Sequence, residues 1–297
     1  MKHDRKLDNR IKARRAQLRS ACFLAPSFLG VLVFFVIPFG VVIYYSLIDN
    51  PVHKSFVGLQ NFAKLFQNTA FRQAAGNTLM FSLIAVPLAL VLSLLLAVAL
   101  EQQIPMKSRL RSFFLSPLVV PVASVVLIWQ VIFHYNGALN GFLNSIGAAS
   151  IDWLESGWSK LVIVILYLWK NLGYNMVLFM AALSNIPKDP LEAAAIDGAG
   201  EWTIFLRLKL RYLSPSIFFV LIISLINSFK VFREIYLLTG DYPYETLYML
   251  QHFMNNTFRS LDYQKLAAAA VVMFLVMIIV IGILFFAEAR LGKDLEQ

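Results

Sequence analysis

The sequence contains few charged residues and a single cysteine. Asp, Glu, Lys and Arg make up 14% of its 297 residues, whereas hydrophobic residues make up 59%, and the mean hydropathy is +0.69. These proportions exclude an ordinary soluble domain and indicate a protein embedded in a membrane. Because Cys22 is the only cysteine, no internal disulfide or cysteine-based metal cluster is expected. The four histidines form no pair at ligand spacing, so no metal or other cofactor is predicted.

Long uncharged runs are abundant. Five runs reach or approach the ~18 to 20 residues that a spanning helix requires, namely 20–48, 73–100, 112–151, 212–229 and 266–287. A sixth apolar stretch, 161–184, is interrupted only by Lys170. The runs predict membrane helices near 22–47, 77–100, 112–135, 160–185, 212–238 and 265–288. Prolines inside them, such as Pro117 and Pro121, fit either kinked helices around a pathway or irregular packing.

The distribution of positive charge predicts the orientation. If the amino terminus is cytoplasmic and six helices follow, the inner segments hold 17 Lys and Arg residues and the outer segments hold 6. This bias places both termini in the cytoplasm and explains the net charge of +9 without nucleic-acid binding. The first hydrophobic run exceeds the ~7 to 15 residues of a signal-peptide core, so we interpret it as a retained helix. The predicted organisation is a basic segment (1–21), a six-helix transmembrane domain (22–288) and a cytoplasmic tail (289–297).

The loop 185–213, between the fourth and fifth predicted helices, has strong helix signals of its own. Asp189 and Glu192 match an Asp-x-x-Glu capping box, and Gly198 ends this first helix after about two turns. A second, amphipathic helix is predicted from 201 to about 211. The pattern fits either a helix lying on the bilayer surface or a small-residue helix that docks closely on a partner protein.

The same loop resembles the EAA loop of ABC importer permeases. The matching residues are Glu192-Ala193-Ala194-Ala195-Ile196-Asp197-Gly198-Ala199, followed by Phe205, Leu208, Leu210, Leu213 and Pro215. Ile186-Pro187 and the segments 57–62 and 238–240 fit the same family. With these segments included, the chain is similar to the carbohydrate-uptake branch, which includes maltose and glycerol-phosphate permease subunits. It departs from the usual pattern at Arg211, where many members have proline. It also has Gly240-Asp241-Tyr242-Pro243 where many members have Gly-Gly-Pro.

This resemblance implies an all-α integral membrane protein with six transmembrane helices. The expected fold is that of a type I ABC importer permease (MetI-like), with cytoplasmic EAA coupling helices. The residues implied in coupling to the ATPase are Glu192, Ala193, Ala194, Asp197, Gly198, Ala199 and Phe205. The implied partners are a second permease of different sequence, a cytoplasmic ABC ATPase dimer, an extracellular solute-binding protein, membrane lipid and a sugar.

The chain has no nucleotide site of its own in this interpretation. Its only Gly-Lys pair, Gly292-Lys293, is followed by Asp294, so no phosphate-binding loop motif is present. We therefore expect a transport subunit in the cytoplasmic membrane rather than an enzyme, with ATP hydrolysed by a partner.

Polar residues within two spans are candidates for the substrate pathway. They are Lys170, Asn171 and Tyr174 in the fourth span and Ser224, Asn227 and Ser228 in the fifth. Amide, hydroxyl and aromatic groups suit a sugar, but the same residues are also typical of hydrogen bonds between helices. Five of them, all except Asn227, match positions of the maltose permease subunit that holds sugar. Lys230, Arg233 and Glu234 are expected nearer the outer membrane surface, with Lys230 and Glu234 forming an i, i+4 pair.

The leading hypothesis is therefore a permease subunit of an ATP-driven importer for sugars or oligosaccharides. A non-sugar solute such as glycerol phosphate is the alternative substrate. An ion-coupled secondary transporter would normally carry intramembrane Asp or Glu, which the spans almost lack. A membrane-embedded enzyme is disfavoured because the spans contain no carboxylate pair, metal cluster or nucleophile constellation.

Overall fold

The computed structural model describes residues 21, 23–101 and 106–293, with side chains to 290; most of the predicted basic segment 1–21 lies outside this part. Within it the secondary structure is helical, apart from one isolated antiparallel bridge between Ile48 and Phe56. Six helical segments are long and apolar enough to cross a membrane. The predicted number of spans is therefore confirmed.

The helices are numbered here in chain order. They are α1 (Phe23–Ser46), α2 (Gln60–Gln67), α3 (Thr69–Glu101), α4 (Lys107–Val119), α5 (Val122–Phe133), α6 (Ala138–Ser145), α7 (Ser159–Ser184), α8 (Lys188–Ile196), α9 (Glu201–Ile204), α10 (Leu210–Lys230), α11 (Phe232–Thr239), α12 (Leu250–Arg259) and α13 (Tyr263–Lys293).

The predicted third helix, 112–135, is wrong as a single element. It is divided into α4 and α5, because Val120 and Pro121 both have extended ψ angles, of 128° and 139°. Proline cannot donate the backbone hydrogen bond that would continue α4, so a new helix begins at Val122. The chain turns at Asn136-Gly137, directly before α6. A Cβ atom on Gly137 would lie 2.4 Å from the carbonyl oxygen of Val131, so only glycine fits there.

The fifth span is longer than the predicted 212–238. The second helix of the loop 185–213 does not end before the fifth span: α9 continues through a π-helical turn, Phe205–Lys209, directly into α10. The presence of Arg211 instead of proline allows this continuity, since the residue keeps its backbone donor. The helix is interrupted only at Val231, after which α11 begins.

The described residues form two compact units. The first contains 23–65 and 261–273. Within it, Asn61 is buried and its side-chain nitrogen donates to the carbonyl oxygens of Ser46, at 2.9 Å, and Ile48, at 2.8 Å. These bonds hold α2 against the end of α1.

The second unit contains 66–101, 106–260 and 274–293 and is built around α3 and α7. A stripe of small residues along α3 is fully buried, namely Ala85, Ala89, Ser93 and Ala97. Small side chains let helix backbones approach closely within a membrane. The repeat of small residues every four positions is visible in the sequence. The same unit packs Met176 and Phe179 of α7 with Leu213 and Val220 of α10.

The backbones of α7 and α4 approach each other even more closely. An added Cβ atom at Gly173 would lie 1.8 Å from the carbonyl oxygen of Phe114, which is far below van der Waals contact. The absence of a side chain at Gly173 therefore fixes the separation of these two helices.

Candidate pathway and coupling sites

A seam of buried polar groups joins α7 to α10 inside the second unit. The Tyr167 hydroxyl donates to the carbonyl oxygen of Ser224 at 2.6 Å, and the Asn175 amide donates to the Ser224 hydroxyl at 2.9 Å. One turn further along α10, the Asn227 amide donates to Asn171 Oδ1 at 2.9 Å. The seam brings the predicted residues Asn171, Ser224 and Asn227 together. Tyr167 and Asn175 belong to it as well, and the sequence analysis missed both.

A third helix meets this seam at Ser228. Its hydroxyl oxygen lies 2.8 Å from that of Ser82 on α3, and it also donates to the carbonyl oxygen of Leu225 at 2.7 Å. The Ser82 hydroxyl is consequently the donor between the two serines. Hydrogen bonds of this kind stabilise helix association in a membrane by about 0.6 kcal/mol each. Hydrogen bonds between helices of the same chain thus engage the side chains of Asn171, Ser224 and Ser228.

The other predicted pathway residues retain exposed surface. Tyr174 is 37% exposed, Asn227 is half-buried, and the Lys170 side chain is 30% exposed. Two classes therefore emerge among the six candidates: buried members between helices, and members with surface available to a solute or partner.

Lys170 forms an ion pair with Glu234, across α7 and α11. Glu234 is only 3% exposed, so its charge is almost completely removed from solvent. The expected Lys230–Glu234 pair is wrong. The i, i+4 relationship requires a continuous helix, and the interruption at Val231 separates Lys230 from α11 while Lys170 binds the carboxylate.

The same contacts define the register of the fifth span against α7. Lys170 and Asn171 lie close to the middle of the 26-residue helix α7. The bond from Asn227 to Asn171 places Asn227 beside the middle of α7, and Glu234, further along the span, meets the long side chain of Lys170. The expectation that Lys230, Arg233 and Glu234 lie nearer the outer membrane surface stays a prediction.

The predicted coupling loop forms two helices, of which α8 is the first. The predicted capping box is wrong: Pro187 is the N-cap and α8 begins at Lys188, so Asp189 already lies inside the first turn and makes no capping bond. The predicted end of the helix is confirmed. Gly198 has a φ of +83°, and backbone bonds from Gly198 to Ala195, at 3.1 Å, and from Ala199 to Ala194, at 3.0 Å, close the helix.

Large apolar side chains around α8 and α9 are left uncovered. Ile196 is 86% exposed, Trp202 is 72% exposed and Leu206 is 56% exposed. Glu192, Ala193 and Asp197 are also exposed. Contiguous exposed apolar residues of this size are typical of an interaction surface.

The predicted coupling loop contacts α3 through an ion pair that lies beside a cavity. Lys209 Nζ lies 3.0 Å from Glu101 Oε2, at the end of α3. Beside this ion pair is a cavity of about 540 Å³, lined by Leu95 and Val98 of α3 and by Trp202 and Phe205. Phe205 also contacts Trp202 edge to face, with ring centroids 6.0 Å apart.

The segment Gly240-Asp241, which departs from the family pattern, forms an ion pair and a hydrogen bond with α12. Asp241 forms an ion pair with Arg259 and accepts a hydrogen bond on its carbonyl oxygen from Asn256, at 3.0 Å. The negative charge of Asp241 raises the pKa of Arg259.

Burial lowers the pKa of His252 to about 4, so this imidazole is neutral at pH 7. In the part of the chain described here, no three His, Cys, Asp or Glu side chains are grouped to hold a metal ion.

The six apolar helices and the two short helices of the loop 185–213 agree with the fold that the resemblance implied. Residues 89–293 match the family described as "Binding-protein-dependent transport system inner membrane component", and the chain belongs to this family. The membership confirms the predicted fold class and the family resemblance.

Individual relatives cover nearly the whole chain. It is 31% identical over 264 residues to the sn-glycerol-3-phosphate transport system permease protein UgpA of Pectobacterium atrosepticum, covering 87% of this chain and 88% of that protein. It is 31% identical over 279 residues to the lactose transport system permease protein LacF of Rhizobium radiobacter, covering 91% and 94%.

A solved structure of a bacterial ABC transporter involved in the import of the acidic polysaccharide alginate matches the fold with a TM-score of 0.80. The sequence identity is 22%, and the match covers 94% of this chain and 97% of that one.

Proposed function

We propose that this chain is a transmembrane permease subunit of an ATP-driven importer for sugars or oligosaccharides. The observation that carries the proposal is the exposed, glycine-terminated helix α8, which is followed after a short turn by α9; α9 is continuous through the π-helical turn with a membrane-spanning helix. The similarity to LacF supports a carbohydrate substrate. Glycerol phosphate is the second candidate, because UgpA is similar to the same degree.

ATP hydrolysis belongs to a partner in this proposal. A cytoplasmic ABC ATPase dimer binds the surface around Glu192, Ala193, Ala194, Asp197, Gly198 and Ala199, beside Phe205. The exposed Ile196 and Trp202 supply apolar contact area, and the small residues let the partner approach the helix backbone closely. The ion pair between Lys209 and Glu101 then transmits the motion of the docked helices to α3.

The pathway lies between this chain and a second permease of different sequence. Lys170, Tyr174 and Asn227 contribute the exposed groups, whereas Asn171, Ser224 and Ser228 hold α7, α10 and α3 in position behind them. An extracellular solute-binding protein delivers the substrate from the opposite side to the ATPase. Both termini lie in the cytoplasm of a multi-pass protein in the cytoplasmic membrane.

Reconstitution tests this function. The chain is co-purified with its ATPase, companion permease and binding protein, incorporated into liposomes, and supplied with internal ATP and radiolabelled oligosaccharides. We expect uptake that depends on ATP and on the binding protein. Uptake of glycerol phosphate without any sugar uptake would favour the second candidate, and uptake driven by an ion gradient without ATP would reject the importer function.

A further inference from the structure

Two cationic side chains on the fifth span are not covered by the other described residues. Lys230, at the end of α10, and Arg233, in the first turn of α11, are both exposed. Among the described residues neither forms an ion pair; Glu234, beside them in sequence, is engaged by Lys170. The stretch 227–234 therefore carries two positive charges that no acidic group of the described chain neutralises.

Both cations lie within the fifth span. The bond from Asn227 to Asn171 places Asn227 beside the middle of α7, and Lys230 and Arg233 follow Asn227 by about one and two turns. Hydrocarbon cannot solvate an ammonium or guanidinium group, and intramembrane cations accordingly face water-filled cavities or polar partners.

The exposed side of the helix is distinct from the side that packs within the chain. Ser224 and Ser228 are buried against α7 and α3, whereas Lys230, Arg233 and Leu237 are exposed at helical spacing. One turn before Lys230, half-buried Asn227 belongs to the polar seam described above. The two cations are thus next to amide groups that suit a hydroxylated solute.

We propose that Lys230 and Arg233 form an anion-recognition site in the translocation pathway, and that the transported saccharide carries a carboxylate, sulfonate or phosphate group. This proposal rests on the proposed function as a sugar permease. The guanidinium of Arg233 offers paired donors that match such an anion, and Lys230 adds a compact positive charge one turn away. The pairing of Lys170 with Glu234 keeps the neighbouring carboxylate from occupying the site.

Uptake of matched neutral and acidic sugars tests the site. The complete transporter is reconstituted in liposomes and given radiolabelled trisaccharides of mannose, glucose and galactose, together with the corresponding uronates, which differ by a carboxylate at C6. We expect import of at least one uronate. Lys230→Gln and Arg233→Gln should each reduce that import about tenfold to a hundredfold, because an ionic hydrogen bond is lost.

Three controls separate the alternatives. Lys230→Arg retains the charge and should retain most of the uronate import, and Lys64→Gln, at an exposed lysine of α2, should leave it unchanged. The companion permease should co-purify with Lys230→Gln as with the parent; its loss would assign the cations to subunit pairing and overturn the proposal. Import of neutral sugars alone, unaffected by both glutamine variants, would also overturn it. Failure to import any sugar would instead reject the proposed function.

Discussion

At the scale of single residues, the described spans combine neutral hydrogen bonds with an ion pair between two helices. Lys170 and Glu234 neutralise each other between α7 and α11, and Glu234 is almost inaccessible. A buried ion pair contributes little net stability, but removal of one partner leaves an uncompensated charge. Lys170 therefore has a structural role that its position in the sequence does not reveal.

Substitution of Lys170 tests the pair. We expect Lys170→Met to destabilise the protein by about 3 to 5 kcal/mol, because Glu234 is left buried without a partner. The double variant Lys170→Met/Glu234→Gln should recover most of the loss, since the charge is then removed from both sides. Thermal unfolding of the purified chain in detergent measures the stability of both variants. Equal melting temperatures for the parent and Lys170→Met would contradict the pairing.

Gly173 and Gly76 provide a matched comparison of glycines within helices. Gly173→Ala should lower the melting temperature and the yield of folded protein, because the new Cβ atom would lie 1.8 Å from the carbonyl oxygen of Phe114. Gly76→Ala should be neutral or stabilising by up to about 1 kcal/mol, since alanine favours the helix and nothing lies within 4 Å of its new Cβ atom. Similar effects at both sites would show that α7 does not approach α4 as closely as described.

At the scale of elements, the decisive feature is the continuity of α9 with the fifth span. The chain leaves α8 through the left-handed Gly198, enters α9 and then reaches α10 through the π-helical turn without leaving the helical state. We expect a continuous helix of this kind to carry movement at α9 to a membrane helix, whereas a flexible loop would absorb it.

The exposed isoleucine of α8 tests the coupling. Ile196→Asp should abolish most ATP-driven uptake and weaken co-purification of the ATPase, because a charge replaces apolar surface that is 86% exposed in the free chain. Ile146→Asp is the control, because that side chain is 64% exposed but lies outside the coupling loop. Uptake and ATPase binding in Ile196→Asp equal to those in the control would remove α8 from the coupling mechanism.

At the scale of the whole molecule, the six spans and the charge bias predict a single orientation. The basic residues around Lys107 and the coupling loop are assigned to the cytoplasm, and the segments near Lys64 and Ser150 to the opposite side. This orientation is required if α8 binds a cytoplasmic ATPase.

Cysteine labelling of intact cells measures the orientation. In a variant with Cys22 replaced by serine, cysteines introduced at Lys64 and Ser150 should react with a membrane-impermeant maleimide added outside. Cysteines at Lys107 and Ala199 should react only after the membrane is permeabilised. The reverse pattern would reject both the predicted topology and the proposed site of ATPase binding.

The sequence by itself determined the number of spans, the positions of the loop helices and the family. Each depends on a local signal: apolar length for the spans, Gly198 for the end of α8, and the Glu-Ala-Ala pattern for the resemblance. Local signals located the end of α8 better than its start, because a left-handed position strongly favours glycine, whereas Asp189 can occupy either the cap or the first turn.

Only the tertiary structure decided which polar residues meet. It showed that Glu234 belongs to Lys170 rather than Lys230, that Asn175 and Tyr167 join the seam at Ser224, and that Asn227 lies beside the middle of α7. Spacing along one helix gives the face on which a residue lies, but not the depth or the register of the neighbouring helix. That register is fixed by close contacts between distant segments, such as the contact of Gly173 with Phe114, which no local pattern encodes.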